Sequence, residues 1–464
     1  MRTRPVAVLL TAALALTATA CGAKSSKDEK KPAAGATAEA VAPLDPNTKV
    51  SISVGCAPPK TAKAFRADWD ADIAKFTQQH PNITIKSDDA FPCIVPETFN
   101  AKLAGGQMDT AYYVYYTDTQ RIINNKQAAD ITPYIAGLQS VKDVNPLFMK
   151  AFQDTGGKTY GLPRKAYTTG LVFNRKLFTD AGLDPANPPK TWAEVRDAAK
   201  KIAGLGNGTI GYGEYSAGNT GGWHFTTSIY GRGGSVVSED GKTAAFNTPE
   251  GQAVLQNLKD MRWTDDSMGT KQLYRWEDLM KLMGSGKLGM MIGAPDVVTE
   301  TFNNFGADPK NIGVTTLPEA QGSLLGGDGY MINPKATPDE IKAAVMWLDF
   351  HELTLGQGQF DYARNKTSGR PVGIPENILW GANATGQKEQ ELAKQYSTVP
   401  TENFSPYIQG SVGITPRTEP PNAQAVYAIL DTVMSAVLTR KDADIAKLLS
   451  DAEKKVNTLL ARTK

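Results

Sequence analysis

The sequence has few residues of the kinds that bind metals or carry out redox chemistry. Among 464 residues there are three cysteines and three histidines, and His80, His224 and His351 stand far apart. Common zinc sites place cysteine and histidine pairs only about two to five residues apart. Cys56 and Cys93 are too widely separated for a CxxC redox motif. The sequence therefore predicts no metal site and no cofactor.

The chain also lacks the charge pattern of a nucleic-acid-binding protein. Its formal net charge is +2, and it contains no basic run. Removing Arg2 and Arg4, which lie in an N-terminal leader, leaves 48 basic residues against 48 acidic ones. Such a balance offers no electrostatic footprint for a phosphate backbone. The phosphate-binding pattern GxxxxGK[ST] is absent as well, so the sequence gives no sign of ATP handling.

Only the N-terminus has an apolar stretch of targeting type. Arg2 and Arg4 precede an apolar core at residues 6–16, and Ala-Thr-Ala-Cys-Gly follows at 18–22. This resembles a bacterial lipoprotein signal, although Ala18 stands where leucine is commoner. We expect a signal peptide at 1–20, a lipid on Cys21, a flexible tether at 21–47 and attachment to the outer face of the cell membrane. An ordinary signal peptide with an incidental Cys21 remains the alternative.

The two other cysteines form a natural pair in an exported protein. Cys56 closes a predicted strand at residues 49–55, and Cys93 follows another at 83–86. If the two strands are parallel, both cysteines lie at carboxyl ends. We therefore predict a disulfide between Cys56 and Cys93, which would stabilise the fold by roughly 3–4 kcal/mol in the chain-entropy account.

Strands and helices alternate after the tether, which is typical of an α/β fold. Predicted strands at 49–55, 83–86 and 110–116 are separated by predicted helices at 61–79 and 96–103. This order favours a parallel sheet, and ligands bind at the carboxyl ends of such strands. Tyr115, Tyr116 and Asp118 would lie there. The two tyrosine rings suit the apolar face of a sugar, but ordinary core and surface tyrosines would give the same pattern.

A longer pattern of motifs runs through the chain. GLP at 161–163 is followed by a strand, FNRKLF, AGLDP and PKTWAE; GKLGMMIG at 286–293 and GGDGYMINP at 326–334 come later. Between residues 50 and 460 the sequence resembles the family 1 extracellular solute-binding proteins, the sugar-binding components of ABC importers. The resemblance implies a periplasmic-binding-protein-like α/β fold with two lobes. It also implies a monomeric, non-catalytic protein that closes over a di- or oligosaccharide and delivers it to permease subunits.

The resemblance further implies where the chain passes between the lobes. Crossings are expected near residues 164–168, 292–295 and 353–356. The first lobe would then comprise 48–165 and 294–353, and the second 166–293 and 354–464. A length of 464 residues agrees with two bodies, because single cores stop growing at roughly 250–300 residues.

Five more ligand contacts are implied by the resemblance. Tyr167 occupies the first crossing, where maltose-type relatives have a carboxylate, and Trp223 stands where relatives supply an aromatic ring. Asp296 replaces a tryptophan; it would accept sugar hydroxyls or cap the helix that follows. Asp328 lies among glycines that would let the backbone approach a ligand closely, and it would then project at the cleft. Alternatively, it belongs to a plain glycine-rich turn. Arg370 would hydrogen-bond to sugar hydroxyls or pair with a carboxylate.

Two other functions stay open on the sequence alone. One is a binding lipoprotein for a different solute, such as a glycerophosphodiester, a polyol or a peptide. The other is a secreted glycoside hydrolase, which needs two carboxylates about 5–10 Å apart. No catalytic motif marks such a pair among the 48 acidic residues.

Overall fold

The computed structural model describes residues 41–87, 89, 93–376, 378–411 and 413–462. The predicted signal peptide, Cys21 and most of the predicted tether lie outside these residues. In the described part of the chain, no helix combines the length and apolar character needed to cross a membrane.

Ten strands are present among the described residues. They are β1 (Val50–Val54), β2 (Ile83–Ser87), β3 (Ala111–Tyr115), β4 (Gly161–Thr168), β5 (Gly170–Asn174), β6 (Ile210–Gly213), β7 (Leu288–Gly293), β8 (Ile312–Thr316), β9 (Ser323–Ile332) and β10 (Pro416–Arg417).

The α-helices surround these strands. In the first half they are α1 (Lys63–Gln79), α2 (Pro96–Gly105), α3 (Tyr116–Asn124), α4 (Thr132–Ile135), α5 (Gln139–Asp143), α6 (Pro146–Met149), α7 (Arg175–Asp180), α8 (Trp192–Ala203) and α9 (Gly221–Gly231). In the second half they are α10 (Pro249–Trp263), α11 (Trp276–Gly284), α12 (Asp296–Phe305), α13 (Pro338–Leu348), α14 (Tyr362–Thr367), α15 (Ala384–Gln395), α16 (Ser405–Ser411), α17 (Ala423–Thr439) and α18 (Ile445–Ala461).

Local sequence sets several helix starts. Thr191 and Glu194 form a capping box at α8, and Thr337 and Glu340 form another at α13, where Pro338 is the first helical residue. Each box satisfies backbone N–H groups that a helix start would otherwise leave unpaired. Both boxes follow the Thr-x-x-Glu spacing that marks such a helix start in a sequence.

The first sheet has six strands. Five follow the order β10-β9-β3-β1-β2, and the sixth, β4, also pairs with β9. β1 runs parallel to both β2 and β3, as the strand-helix alternation predicts. β9 is antiparallel to β3 and β4. We call the body built on this sheet the first lobe.

The second sheet has the order β6-β7-β5-β8 and forms the centre of the second lobe. All five residues of β5 are buried, because helices cover both faces of the sheet. Leu171 and Phe173 face one core, and Val172 faces the other. The two-residue period of the strand thus divides one short segment between two hydrophobic layers.

A disulfide joins the end of β1 to the segment after β2. Cys56 and Cys93 are bonded, with Cα atoms 4.9 Å apart, inside the range that a disulfide spans without backbone movement. The bond closes the β1-α1-β2 unit at the carboxyl ends of the two strands.

Three segments connect elements of the two sheets. The first lies at Thr169, between β4 and β5. The second follows β8 and extends into the start of β9, where Leu324 still packs in the second lobe's core. Residues 292–295 lie within the second lobe, because β7 and β8 both pair with β5. The intervening α12 also packs into the second lobe.

The third crossing is later than expected as well. Phe360, Leu379 and Trp380 are still part of the first lobe's core, so the chain does not leave it at 353–356. Thr385 at the start of α15 donates a hydrogen bond to Asp143 of the first lobe (2.8 Å). Ile374 already packs against the second lobe's core, and the chain joins that core at Val399.

The first described residues are attached to the first lobe. The Val41 amide donates a hydrogen bond to the Pro133 carbonyl (3.1 Å), and Leu44 packs against the core of that lobe. This part of the predicted tether is therefore docked on the protein.

Candidate functional site

A cavity of about 300 Å³ opens where β4 of the first lobe meets the second lobe. This volume is at the lower end of the range of roughly 300–1,000 Å³ that ligand pockets occupy. We call it the aromatic cavity. Its lining residues are Tyr167, Tyr215, Asn219, Thr220, Trp223, Trp276, Ala294, Asp296, Val297, Gln424 and Tyr427.

Tyr167 is held against the first sheet by a glycine. It lies opposite Gly326 in the β4–β9 pair, and a Cβ atom on Gly326 would come within 2.6 Å of the Tyr167 ring. Gly327 makes room in the same way for the ring of Tyr116. The glycines of the GGDG motif therefore allow two tyrosine rings to lie directly on the strand.

Trp223 and Tyr427 are brought together by a close helix contact. Trp223 is the third residue of α9, and a Cβ atom on the preceding Gly222 would come within 2.2 Å of the Tyr427 carbonyl oxygen in α17. The Gly221 amide donates a hydrogen bond to Asp431 of the same helix (2.7 Å). Two glycines therefore let α9 and α17 touch, which places both aromatic side chains on the cavity.

The cavity wall contains a carboxylate that forms no ion pair with a described residue. Asp296 is the first residue of α12, and it is exposed to the cavity although protein surrounds it on most sides. Burial raises the pKa of Asp296 to about 6; the nearest cation, Lys165, counteracts this shift only in part. Lys165 donates its own hydrogen bond to Glu376 (2.9 Å). Asp296 is therefore available to a ligand.

A second carboxyl lies close to Tyr167 and Tyr427. Glu419 accepts a hydrogen bond from the Tyr427 hydroxyl (3.1 Å). Burial raises the pKa of Glu419 to about 8, the Tyr427 hydroxyl lowers it, and nearby Asp118 raises it further. Burial, together with Asp296 and Glu419, also raises the pKa of Tyr167.

A larger cavity of about 1040 Å³ is lined by the first lobe and by Thr299 and residues 401–411 of the second lobe. Many of its charged side chains form ion pairs with one another. Arg370 pairs with Asp68, and Arg364 pairs with Asp72. His351 lies between Asp72 and Glu352, with its Nδ1 atom 2.8 Å from the Glu352 carboxylate. We call this space the paired-charge cavity.

The chain matches the profile of bacterial extracellular solute-binding proteins over residues 58–350. It belongs to this family. The match covers more than half of the sequence and runs from just before α1 through α13, so it includes strands β2 to β9.

Individual relatives are more distant. The solute-binding protein is 33% identical over 141 residues to a binding protein of Brucella abortus (strain 2308), and this match spans only about a third of either chain. It is 29% identical over 276 residues to the sn-glycerol-3-phosphate-binding periplasmic protein UgpB of Agrobacterium fabrum, covering 53% of this chain and 57% of that one. It is 24% identical over 401 residues to the diacetylchitobiose binding protein DasA of Streptomyces coelicolor, covering 85% and 86%.

Solved structures show the same two-lobed fold. The GacH receptor of Streptomyces glaucescens, solved unliganded and with acarbose, superimposes with a TM-score of 0.69 at 20% identity. The superposition covers 90% of this solute-binding protein and all of GacH.

The structure gathers three of the eight predicted contact residues at one place. Tyr167, Trp223 and Asp296 line the aromatic cavity. Asp296 is a helical residue and not the cap, which is Pro295, so its carboxylate is not used to cap α12.

The three residues predicted at the first lobe's ligand edge, and Asp328, are differently placed. Tyr115 is 40% exposed at the end of β3. Tyr116 packs edge-on against Phe152, 5.4 Å between ring centres, and so contributes to the core. Asp118 pairs with Arg121 (2.7 Å), and Asp328 accepts two hydrogen bonds from Arg164 (2.6 and 2.8 Å).

Arg370 lies away from the aromatic cavity. It lines the paired-charge cavity, where it pairs with Asp68 and covers the Phe65 ring at 4.2 Å. Of the two roles open to Arg370 on sequence, pairing with a carboxylate is the one that the structure shows.

Sequence reasoning missed several lining residues, chiefly Tyr215, Trp276 and Tyr427. Tyr215 follows β6, so the rule that placed Tyr115 at a strand's carboxyl end would have found it. Tyr427 lies within a helix whose apolar pattern indicates only packing. Among the described residues, no cluster of three or more histidine, cysteine or acidic side chains could hold a metal ion.

Proposed function

We propose that this protein captures a di- or oligosaccharide between its lobes for an ABC importer. The observation that carries the proposal is the aromatic cavity. Flat rings from Tyr167, Tyr215, Trp223 and Trp276 suit the C–H faces of a sugar, while Asp296 and nearby amide groups suit its hydroxyls. The acarbose complex of the structurally similar GacH receptor supports the sugar class.

The mechanism we propose is closure of two lobes on the ligand. Tyr167 belongs to β4 of the first lobe, whereas Trp223 and Asp296 belong to the second. A sugar that touches all three favours the closed form, because only that form offers every contact. Exclusion of water on closure strengthens each hydrogen bond. The protein acts by binding and carries out no chemical step on its ligand.

We further propose a lipid on Cys21 and attachment at the extracytoplasmic face of the membrane. The signal-type sequence at residues 1–22 supports this assignment. The closed, loaded protein would dock as a monomer on permease subunits. For the lobe boundaries we propose 41–168 with 323–395 for the first lobe, and 170–316 with 399–462 for the second.

An anionic solute is the less suitable alternative, although a glycerol-3-phosphate-binding relative exists. A phosphate needs clustered cations or a free helix N-terminus. No described cation lines the aromatic cavity; Lys165, whose charge acts on Asp296, is held by Glu376, and Arg164 is held by Asp328. The N-terminus of α12 does not suit a phosphate either, because its first turn carries the carboxylate of Asp296.

Isothermal titration calorimetry tests the proposal. The mature protein, stripped of co-purified ligand by unfolding and refolding, is titrated with a panel of mono-, di- and oligosaccharides and with glycerophosphodiesters. We expect micromolar or tighter binding of at least one saccharide. Binding of phosphate esters with no response to any saccharide would contradict the sugar class. Mass spectrometry of the ligand released by unfolding would identify the natural solute.

A further inference from the structure

The acidic groups around the aromatic cavity fall into two sets. Asp328 and Glu376 form ion pairs with Arg164 and Lys165, and Asp118 pairs with Arg121. Within the part of the chain that the structure describes, Asp296 and Glu419 have no such cation. The carboxylates of Asp118, Asp328 and Glu376 are thus neutralised, whereas Asp296 in the cavity wall and Glu419 beside Tyr427 form no ion pair with a described residue.

Aromatic rings surround the same space. Tyr215 and Trp223 stack with 6.3 Å between their ring centres, and Trp276 and Tyr427 complete the wall. Tyr215 is only 9% exposed, and no described residue provides a hydrogen-bond partner for its hydroxyl. Ring faces attract cations, most strongly where water is excluded. Aromatic rings beside a carboxylate that has no counter-cation form a favourable environment for a bound ammonium group.

We propose that the ligand carries a positively charged nitrogen that binds beside Asp296, and that it is an amino sugar with a free ammonium group. This inference rests on the proposed sugar-binding function. The ammonium would donate hydrogen bonds to Asp296 and contact the rings of Tyr215 and Trp223.

The electrostatics of the empty site agree with this assignment. Burial raises the pKa of Asp296 to about 6 and that of Glu419 to about 8, so the ionised forms are destabilised while no cation is present. A bound ammonium would reverse this effect by stabilising the carboxylates. A neutral sugar supplies only hydroxyl dipoles, which do so more weakly.

Matched ligands provide the test. Calorimetry at pH 7 compares each amino sugar with two uncharged counterparts: glucosamine with glucose and N-acetylglucosamine, galactosamine with galactose and N-acetylgalactosamine, and the β-1,4-linked glucosamine dimer with cellobiose and diacetylchitobiose. In at least one set we expect the amine to bind about ten-fold or more tightly than both counterparts.

A pair of variants locates the effect. Asp296→Asn should reduce the affinity for the preferred amine about ten-fold and that for neutral sugars less than about three-fold, so the amine preference disappears. Glu300→Gln, one helical turn along α12 and outside the cavity lining, makes the same charge change and should preserve the preference. Thermal unfolding of both variants checks that they fold.

Each outcome decides the inference. Amine preference that is lost in Asp296→Asn supports it. Neutral sugars that bind as well as or better than their amines overturn it while leaving the proposed sugar function intact. A preference that survives in Asp296→Asn overturns the role of this carboxylate. No binding by any saccharide, charged or neutral, overturns both the inference and the proposed function.

Discussion

The two cavities of this protein differ in the pairing of their charges as well as in their volumes. The paired-charge cavity is the larger, about 1040 Å³ against about 300 Å³, but Asp68, Asp72, Arg364 and Arg370 in its wall already form ion pairs. The aromatic cavity is lined by one carboxylate, Asp296, which forms no ion pair with a described residue. Volume alone therefore does not identify the ligand site, and the aromatic rings beside an unpaired carboxylate favour the smaller cavity.

The largest expected effect is on stability and concerns the paired-charge cavity. Asp72 accepts a hydrogen bond from Arg364 and lies 3.5 Å from the His351 ring, and these partners lower its pKa although burial opposes them. Asp72→Asn removes the anion that Arg364 and His351 share and leaves them only Asp68 and Glu352, so we expect it to lower the free energy of unfolding by about 3 kcal/mol. Urea denaturation measures this loss.

Its control is Asp70→Asn on the same helix. The Asp70 side chain is 55% exposed and pairs only with Arg66 and the solvent, so a change below about 0.5 kcal/mol is expected. Equal losses of unfolding free energy in the two variants would show that the buried ion pairs of Asp72 stabilise the fold no more than the exposed pair of Asp70.

The second prediction concerns ligand affinity. Trp223→Ala removes a ring from the aromatic cavity, and we expect the affinity for the best saccharide to fall about 10- to 30-fold. Phe65→Ala removes a ring from the paired-charge cavity and should change the affinity less than about three-fold. Calorimetry on both variants makes the comparison. A larger loss in Phe65→Ala would move the proposed site to the other cavity.

The third prediction is a pH dependence of stability that arises from His351. Burial lowers its pKa, but Glu352 and Asp72 outweigh burial and raise it to about 9, against about 6.5 in the unfolded chain. A raised pKa stabilises the fold below about pH 6.5, and this contribution is lost as the pH rises through about 9. We expect a loss on the order of 1–2 kcal/mol between pH 6.5 and 9.

Urea unfolding of the wild type and His351→Gln at pH 6.5, 7.5 and 9 measures this contribution. The variant should be less stable at pH 6.5, and its difference from the wild type should shrink toward pH 9. His80→Gln is the matched control, because burial lowers the pKa of His80 and its titration lies on the acid side. A constant difference between wild type and His351→Gln at all three pH values would contradict the assignment.

The smallest expected effect is at the link between the lobes. Glu376 accepts hydrogen bonds from Lys165 of β4 and from Thr299 of α12, so it joins the two sides of the cleft. Glu376→Gln frees the charge of Lys165 for Asp296, and we expect ligand affinity to change by less than about three-fold. Small-angle scattering of the ligand-free variant should show a slightly larger radius of gyration. An unchanged radius would argue against a role in holding the lobes together.

Much of the fold is predictable from local sequence. The alternation of strands and helices, the parallel β1-β2-β3 core and both capping boxes depend on short segments whose periodicity and end signals agree. The second and third crossings are not predictable in this way. At residues 292–295 the Gly-Ala-Pro sequence indicates the end of β7, but only the pairing of β8 with β5 shows that the chain stays in the second lobe.

The site is only partly predictable for the same reason. Tyr167, Trp223 and Asp296 stand in recognisable motifs, so their placement could be expected. Tyr427 reaches the cavity because Gly222 lets α17 approach α9, which is a contact between segments about 200 residues apart. Nothing in the sequence around Arg370 indicates whether its partner is a sugar or the carboxylate of Asp68.

The docking of Val41 on the first lobe determines how the protein would move at a membrane. If Cys21 carries a lipid, only 20 residues separate it from Val41, and at roughly 3.3–3.6 Å per residue the first lobe stays within about 70 Å of the bilayer. The second lobe, which carries Trp223 and Asp296, has no such restraint of its own. On closure, the second lobe would then move toward a first lobe whose distance from the bilayer, and so from a permease in it, is already limited.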